Sequence, residues 1–408
     1  MHTGFPSIRA WTLALVGCTG FAAAAEDYGQ WSYSRVLHLD GTALEQDLAG
    51  YPLLVRFGTD AAEYLAKANP DGSDLRFSLA DGTHLAYQLD SWDPAAGGVV
   101  WVRLPLVKAG VANQVRVHCG KPGAPDSSNG PAVFRASEGF QGVWHMDPSL
   151  RDAGPNGILA VDSGTTSAPM GAIGAARLFT NPEAYATKGD YLTLGNPAAL
   201  NITGVLTLEA WVRWTRRDGH RIVICHGSAP GSAFETVLRI GETRDYRAGV
   251  WTGSSHYAAL EAPAADSNAW VHLAGVYTGT RWLLFRNGAQ FATTVADTNG
   301  AKASPGAWRI GAEYAGGVTR FFDGMLDEVR IANSARGADW FKMEYATQRA
   351  GQTAIKWEAT SGLRADRIAP LVRRERIRIE AGVVRIPGND QEKGSDAAGR
   401  AWPLPQPK

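Results

Sequence analysis

Short apolar runs, punctuated by turn residues, recur about every ten residues along most of this chain, and that rhythm admits few folds. In the first region the runs are YPLLVRF (51–57), LRFSLA (75–80), LAYQLDSW (85–92), VVWVRLPL (99–106) and QVRVHC (114–119). Several alternate apolar and polar residues with period two, which buries one face of a strand and leaves the other wet. Asp81-Gly82 sits between two of them as a hairpin turn. Five strands in so short a stretch predict a compact antiparallel sandwich. Loop composition follows at 121–131 (KPGAPDSSNGP). A second series then runs through 191–194, 206–214, 221–225, 236–240, 270–277, 282–286, 307–310 and 324–331, with Asn287-Gly288 as a further hairpin turn. A large two-sheet sandwich is the expected product. The one convincing helix is short, at 339–348 (DWFKMEYATQ).

The chain has 408 residues, 40 Lys and Arg against 40 Asp and Glu, and a formal net charge of +0. That length suggests two or three domains, and the absence of a basic excess argues against nucleic acid as a partner. At the N-terminus Arg9 precedes an apolar stretch over 10–25 that ends Ala23-Ala24-Ala25 before Glu26 and Asp27, the pattern of a cleaved export signal. A competing reading takes Leu15-Val16-Gly17-Cys18 as a lipoprotein box, with lipidated Cys18 as a membrane tether. Both place the protein outside the cytoplasm, periplasmic or associated with the outer membrane or cell surface. Cys119 and Cys225 each fall in an apolar run and read as separate buried thiols. The expected division is a signal peptide at 1–25, a β domain at 26–132, a larger β domain at 133–345, and a linker strand with a polar, Pro-rich tail at 346–408. Arg373, Arg374, Arg376 and Arg378 in that last segment read as the wet face of a strand, with contact to a partner or membrane surface as the alternative.

Two resemblances sharpen this picture. Asp74-Leu75-Arg76-Phe77, Asp81-Gly82, Tyr87, Asp90-Ser91-Trp92-Asp93, the run at 99–106 and the closing HCGKP make residues 31–122 similar to a bacterial domain family of unknown function. That family commonly precedes a laminin-G-like domain in exported proteins. Gly142-Val143-Trp144-His145-Met146, the loop at 152–157 (DAGPNG), Leu208-Glu209-Ala210-Trp211-Val212, Trp270-Val271-His272-Leu273 and the run at 322–331 (FDGMLDEVRI) resemble the concanavalin A-like, laminin-G-type superfamily. The resemblances imply an all-β chain, an N-terminal β-sandwich followed by a laminin-G-like jelly roll, with glycan or protein binding as the frequent role. They also imply a second role, as an accessory subunit of an envelope complex associated with an ExbB/TolQ-type proton channel.

The superfamily often holds calcium at a rim loop, which points to Asp152, Asn156 and Asp323 as ligands; calcium takes six to eight oxygens. A sugar site needs aromatic faces beside planar polar groups. Trp251, His256 and Tyr257 in WTGSSHY, with Tyr246 and Arg247 just before, are the candidates, and Trp214 beside Arg216, Arg217 and Asp218 is a weaker one. No catalytic centre is expected. Glucanases on this sandwich resemble one another in carboxylates alternating along one strand, which sets acid and nucleophile at the spacing retaining hydrolysis requires. Here the nearest run has adjacent Asp327 and Glu328, expected on opposite faces of a strand. A glycoside hydrolase is therefore the remote alternative. The sequence does not fix oligomeric state.

Overall fold

The alternation of the first region resolves into two facing sheets. The computed structural model describes residues 26–227 and 234–358, together with the backbone of 378–380 and 383–385; the expected export signal, Cys18, Arg373, Arg374, Arg376 and the Pro-rich tail lie outside the described residues. One sheet runs in the order Ile355–Trp357, Tyr33–Asp40, Ala112–Cys119, Arg76–Ser78, His84–Leu85, and the other in the order Leu48–Phe57, Gly97–Val107, Tyr87–Asp93. Leu37, Leu39, Leu53, Val55, Phe57, Phe77, Val115 and Val117 fill the space between them. The Asp81-Gly82 turn forms as expected, with Gly82 at φ +86° and Phe77 paired to Leu85. Strand Tyr33–Asp40 carries no clean alternation and was not expected. It is flanked by Ala112–Cys119 and by Ile355–Trp357, a strand that returns from the far side of the second sandwich.

That second sandwich is a jelly roll of two larger antiparallel sheets. Its eight-stranded sheet follows Thr166–Ala168, Ala176–Phe179, Gly324–Ala332, Leu206–Trp214, Val271–Tyr277, Trp282–Arg286, Ala289–Thr293, with Phe140–Trp144 also on Gly324–Ala332. The seven-stranded sheet follows Ser255–Glu261, Asp245–Trp251, Glu235–Ile240, Arg221–His226, Trp308–Ile310, Tyr191–Gly195, Val161–Ser163. Period two sorts the residues. Leu206, Leu208, Ala210, Val212 and Trp214 enter the core between the sheets, while Trp211 packs into the core of the first sandwich. The sheets approach closely: a Cβ on Gly275 would lie 2.4 Å from the Cβ of Ala248 opposite, so only glycine fits there.

The helix Ala338–Gln348 ties the two sandwiches together. Asp339 in its first turn accepts from the backbone N–H groups of Glu45 and Gln46, both at 2.8 Å. At its other end Arg56 of the first sandwich donates to the carbonyls of Thr347 (3.3 Å) and Gln348 (2.6 Å), two groups a helix end leaves without partners. Cys119 and Cys225 are both buried free thiols, as expected. The segment Arg378–Glu380 pairs antiparallel with Val383–Arg385. Among the described residues no helix is long and apolar enough to cross a membrane.

Candidate functional site

The jelly roll has two outer faces, and they meet different fates. The outer face of the eight-stranded sheet is covered by the helix and by strand Gly97–Val107 of the first sandwich. Beneath that cover lies a sealed ionic cluster. Arg330 donates to Glu344 (2.8 Å), Glu328 (2.9 Å) and Glu209 (3.5 Å), and its guanidinium carbon stands 4.6 Å above the ring of Trp101. Glu328 also meets His145 Nδ1 at 2.8 Å. Burial pulls the His145 imidazole down, but Glu328 and Asp90 outweigh it and raise it to about 9, so it is cationic. Burial, with Glu209 alongside, pushes Glu344 well above the carboxylate range. Asp327 and Glu328 do not point to opposite faces, contrary to the simple alternation. A β-bulge with Glu328 at φ +49° sends both outward while Leu326 and Val329 stay in the core.

The outer face of the seven-stranded sheet carries a cavity of about 430 Å³, lined by His220, Glu235, Arg239, Arg247, Trp251, Ser255, Tyr257, Glu313, Ala315 and Arg320. Strand alternation builds it. Glu235 and Arg239 come from one strand, Arg247 and Trp251 from the next, Ser255 and Tyr257 from the edge strand, with Trp251 opposite Ser255 and Tyr257 opposite Gly249. Arg239 and Arg247 lie directly opposite each other, a pairing that costs stability unless neutralised. Carboxylates neutralise it: Arg239 pairs with Glu235 at 2.7 Å and Arg247 with Asp245 at 2.5 Å. The Tyr257 ring receives the Arg239 guanidinium at 4.8 Å. Glu313 and Arg320 form a further pair. Burial, then the neighbouring Glu235, raises Glu313 to about 8, against the pull of Arg320 and Arg239. Glu313 therefore keeps its proton at neutral pH. His220 is pushed down to about 4, first by burial and then by Arg239 and Arg320, and is neutral.

Of the expected sugar-site residues, Trp251, Tyr257 and Arg247 meet in this cavity. Tyr246 and His256 do not. They occupy the alternate positions of the same strands and face the other way. Tyr246 is buried in the sandwich core, accepting from Trp214 Nε1 at 2.7 Å and donating to Asp266 at 2.9 Å. His256 stands opposite the core residue Val250 and bonds Asp297 at 2.8 Å. Trp214 is likewise core. The sequence reading missed Glu235, Arg239, Glu313, Arg320 and His220. Charges at alternate positions of ETVLRI were the available signal: Glu235 and Arg239 mark one polar face on an otherwise apolar strand.

The expected calcium ligands do not form one shell. Asp152 Oδ1 accepts from the N–H groups of Val143 (2.8 Å) and Gly154 (2.6 Å), which shapes the loop. Asn156 turns its amide N–H to the Gln141 carbonyl at 2.8 Å. Asp323 sits at the opposite end of strand Gly324–Ala332, accepting from Asn181 N at 2.7 Å and from the Thr215 hydroxyl. Val143 pairs with Arg330, six residues further along, so about 20 Å of extended strand separates the two places. Three other groups could converge on a metal: Asp90, His145 and Glu328; Glu209, His272 and Glu344; Cys225, Glu235 and Glu313. The first holds cationic His145, and Arg330 or Arg239 with Arg320 already neutralises the rest. Burial keeps Cys225 a neutral thiol, a poor metal ligand.

Paired antiparallel sheets with an open, aromatic-lined outer face define a lectin-like jelly roll, which fits a binding role. Residues 186–342 match the family model of the Concanavalin A-like lectin/glucanases superfamily, preceded at 71–147 by a match to the Domain of unknown function (DUF2341). The chain thus carries both families inferred from its motifs, in that order. Among solved structures it is similar to the binding domain of Paraclostridial Mosquitocidal Protein 1, at 10% identity over 52% of this chain and 53% of that one, with a TM-score of 0.41. It is also similar to Domain 4 of AbnA, a GH43 extracellular arabinanase from Geobacillus stearothermophilus, solved with arabinotriose (15% identity, 50% of this chain and 97% of that one, TM-score 0.37). A third is the SAP-like pentraxin of Limulus polyphemus (20%, 41% and 80%, TM-score 0.32). The chain spans about half the length of the first of these (53%). No curated protein matches the chain.

Proposed function

We propose that the protein is an exported, non-catalytic binding protein that takes a glycan on the outer face of its seven-stranded sheet. The observation that carries this reading is the convergence of Trp251, Tyr257 and Arg247 from adjacent strands into one cavity of about 430 Å³ on the face the first sandwich leaves open. The volume falls within the range of small-ligand sites. Trp251, 38% exposed, offers a ring for a pyranose to stack on, while Ser255, His220 and the guanidiniums supply hydrogen bonds to hydroxyls. The carboxylates support binding over hydrolysis. A glycosidase needs an acid and a nucleophile that reach the scissile bond. Here the side chains of Glu235 and Glu313 are 8% and 2% exposed, bonded to each other and held by Arg239 and Arg320. The test is a glycan array of the full chain, with calcium and with chelator, alongside Trp251→Ala. Hits lost in the variant are expected, and silence across the array overturns the reading.

A further inference from the structure

We propose that the cavity selects an acidic saccharide, gripping an anionic group on the sugar with the guanidiniums of Arg247 and Arg320. The inference rests on the glycan reading and adds the substrate class. Its basis is the vertical order of charges. The carboxylates form the floor and are sealed, Glu235 at 8% and Glu313 at 2%. The guanidiniums stand above them with more surface free, Arg247 at 20% and Arg320 at 27%. A ligand that enters the cavity therefore meets these N–H donors before the oxygens of Glu235 and Glu313.

The balance of charge points the same way. Arg239, Arg247 and Arg320 bring three fixed positive charges to the wall. Glu235 beside Arg239 returns one negative charge, Asp245 beside Arg247 returns another, and burial raises Glu313 to about 8 so that it keeps its proton. Among these groups the excess is positive; the exposed Glu242 stands outside the lining, 3.7 Å from His220 Nε2. His220 registers that field, since Arg239 and Arg320 both help keep its ring neutral. Each guanidinium is also fixed in place by its carboxylate, so its planar fork is pre-organised for a carboxylate or sulfate on the sugar. Trp251 opposite Ser255 and Tyr257 beside Arg239 supply the ring surface. A purely neutral glycan would leave the two exposed guanidiniums facing only hydroxyls.

The test is calorimetric titration of the full chain with trigalacturonate, its methyl ester, galactotriose and a sulfated heparin disaccharide. Trigalacturonate, the disaccharide or both should bind, more weakly as salt rises, and the two arms separate carboxylate from sulfate. If the carboxylate is the group, esterification should weaken binding roughly ten- to a hundredfold, the loss expected for a hydrogen bond to a charged group. Arg247→Gln and Arg320→Gln should lose a similar factor for the acid and a distinctly smaller one for galactotriose. Because the ester and the acid are compared on the unaltered chain, the outcome does not depend on the variants folding. Galactotriose bound as tightly as both acidic ligands, and lost in Trp251→Ala, would overturn acid selection while leaving glycan binding standing. No binding of any saccharide would overturn both.

Discussion

The molecule builds nearly the same ionic device twice, once under cover and once in the open. At the junction, burial beside Glu209 pushes Glu344 well above the carboxylate range, while Arg330 holds both and Glu328 and stacks on Trp101. On the seven-stranded sheet, burial beside Glu235 raises Glu313 to about 8, with Arg239 and Arg320 holding the two. The chemistry is alike; the cover differs. Helix Ala338–Gln348 and strand Gly97–Val107 close the first, leaving Arg330 2% exposed, whereas nothing among the described residues closes the second, and Arg320 is 27% exposed. A sealed cluster acts on stability and an open one on recognition, so substitutions in the two should give opposite signatures.

The largest effect belongs to the sealed cluster. Arg330→Met would take the bonded cation from buried Glu209 and Glu344, leaving Glu328 only His145, and should cost about 3–5 kcal/mol in urea unfolding; a loss under about 1 kcal/mol would show the cluster to be solvated after all. Next comes pH. His145 has its pKa raised on folding from an ordinary 6.5 to about 9. A cation so favoured lends stability that is full below pH 6.5 and is lost as pH climbs through about 9. Unfolding free energy should therefore fall over that window by about 2–3 kcal/mol, and His145→Gln should flatten much of the fall. An unchanged slope in the variant would assign the pH response elsewhere, to Glu313 in the open cavity or to Glu344 and Asp327, whose raised pKa values give the same sign.

Asp152→Ala is the intermediate case. Two backbone N–H groups lose their acceptor, and the cost should be about 1–2 kcal/mol, equal with and without a calcium chelator. A cost that appears only with calcium present would restore a metal to that loop. The smallest effect on stability belongs to the open face: Trp251→Ala should stay within about 0.5 kcal/mol by urea unfolding, as for other surface positions. A larger loss would mean that Trp251 supports the sheet more than it serves a ligand.

Alternation made most of the framework legible. Leu206–Trp214 and Trp282–Arg286 run between the residues expected, and the Asn287-Gly288 turn joins its two strands. What failed was non-local or irregular. Tyr33–Asp40 is held by a strand more than 300 residues away, a pairing that no local pattern announces. The bulge at Glu328 moves one residue across the sheet, which strict period two cannot foresee. Trp251, Tyr257 and Arg247 could be picked by residue type. Tyr246 and His256 were picked with them on residue type and proximity alone; as the strands Asp245–Trp251 and Ser255–Glu261, the stretch sends alternate residues to opposite faces. Glu235 and Glu313 meet only because strands Arg221–His226 and Trp308–Ile310 lie side by side.

The account turns on recognition taking place on the uncovered face of the jelly roll. Saturation-transfer NMR of the full chain with a glycan that it retains, comparing wild type with Trp251→Ala, tests this most directly. Transfer to the sugar's ring protons that vanishes in a variant of unchanged melting temperature is the predicted result. Transfer that persists undiminished in the variant would place the binding surface elsewhere on the molecule and contradict the account.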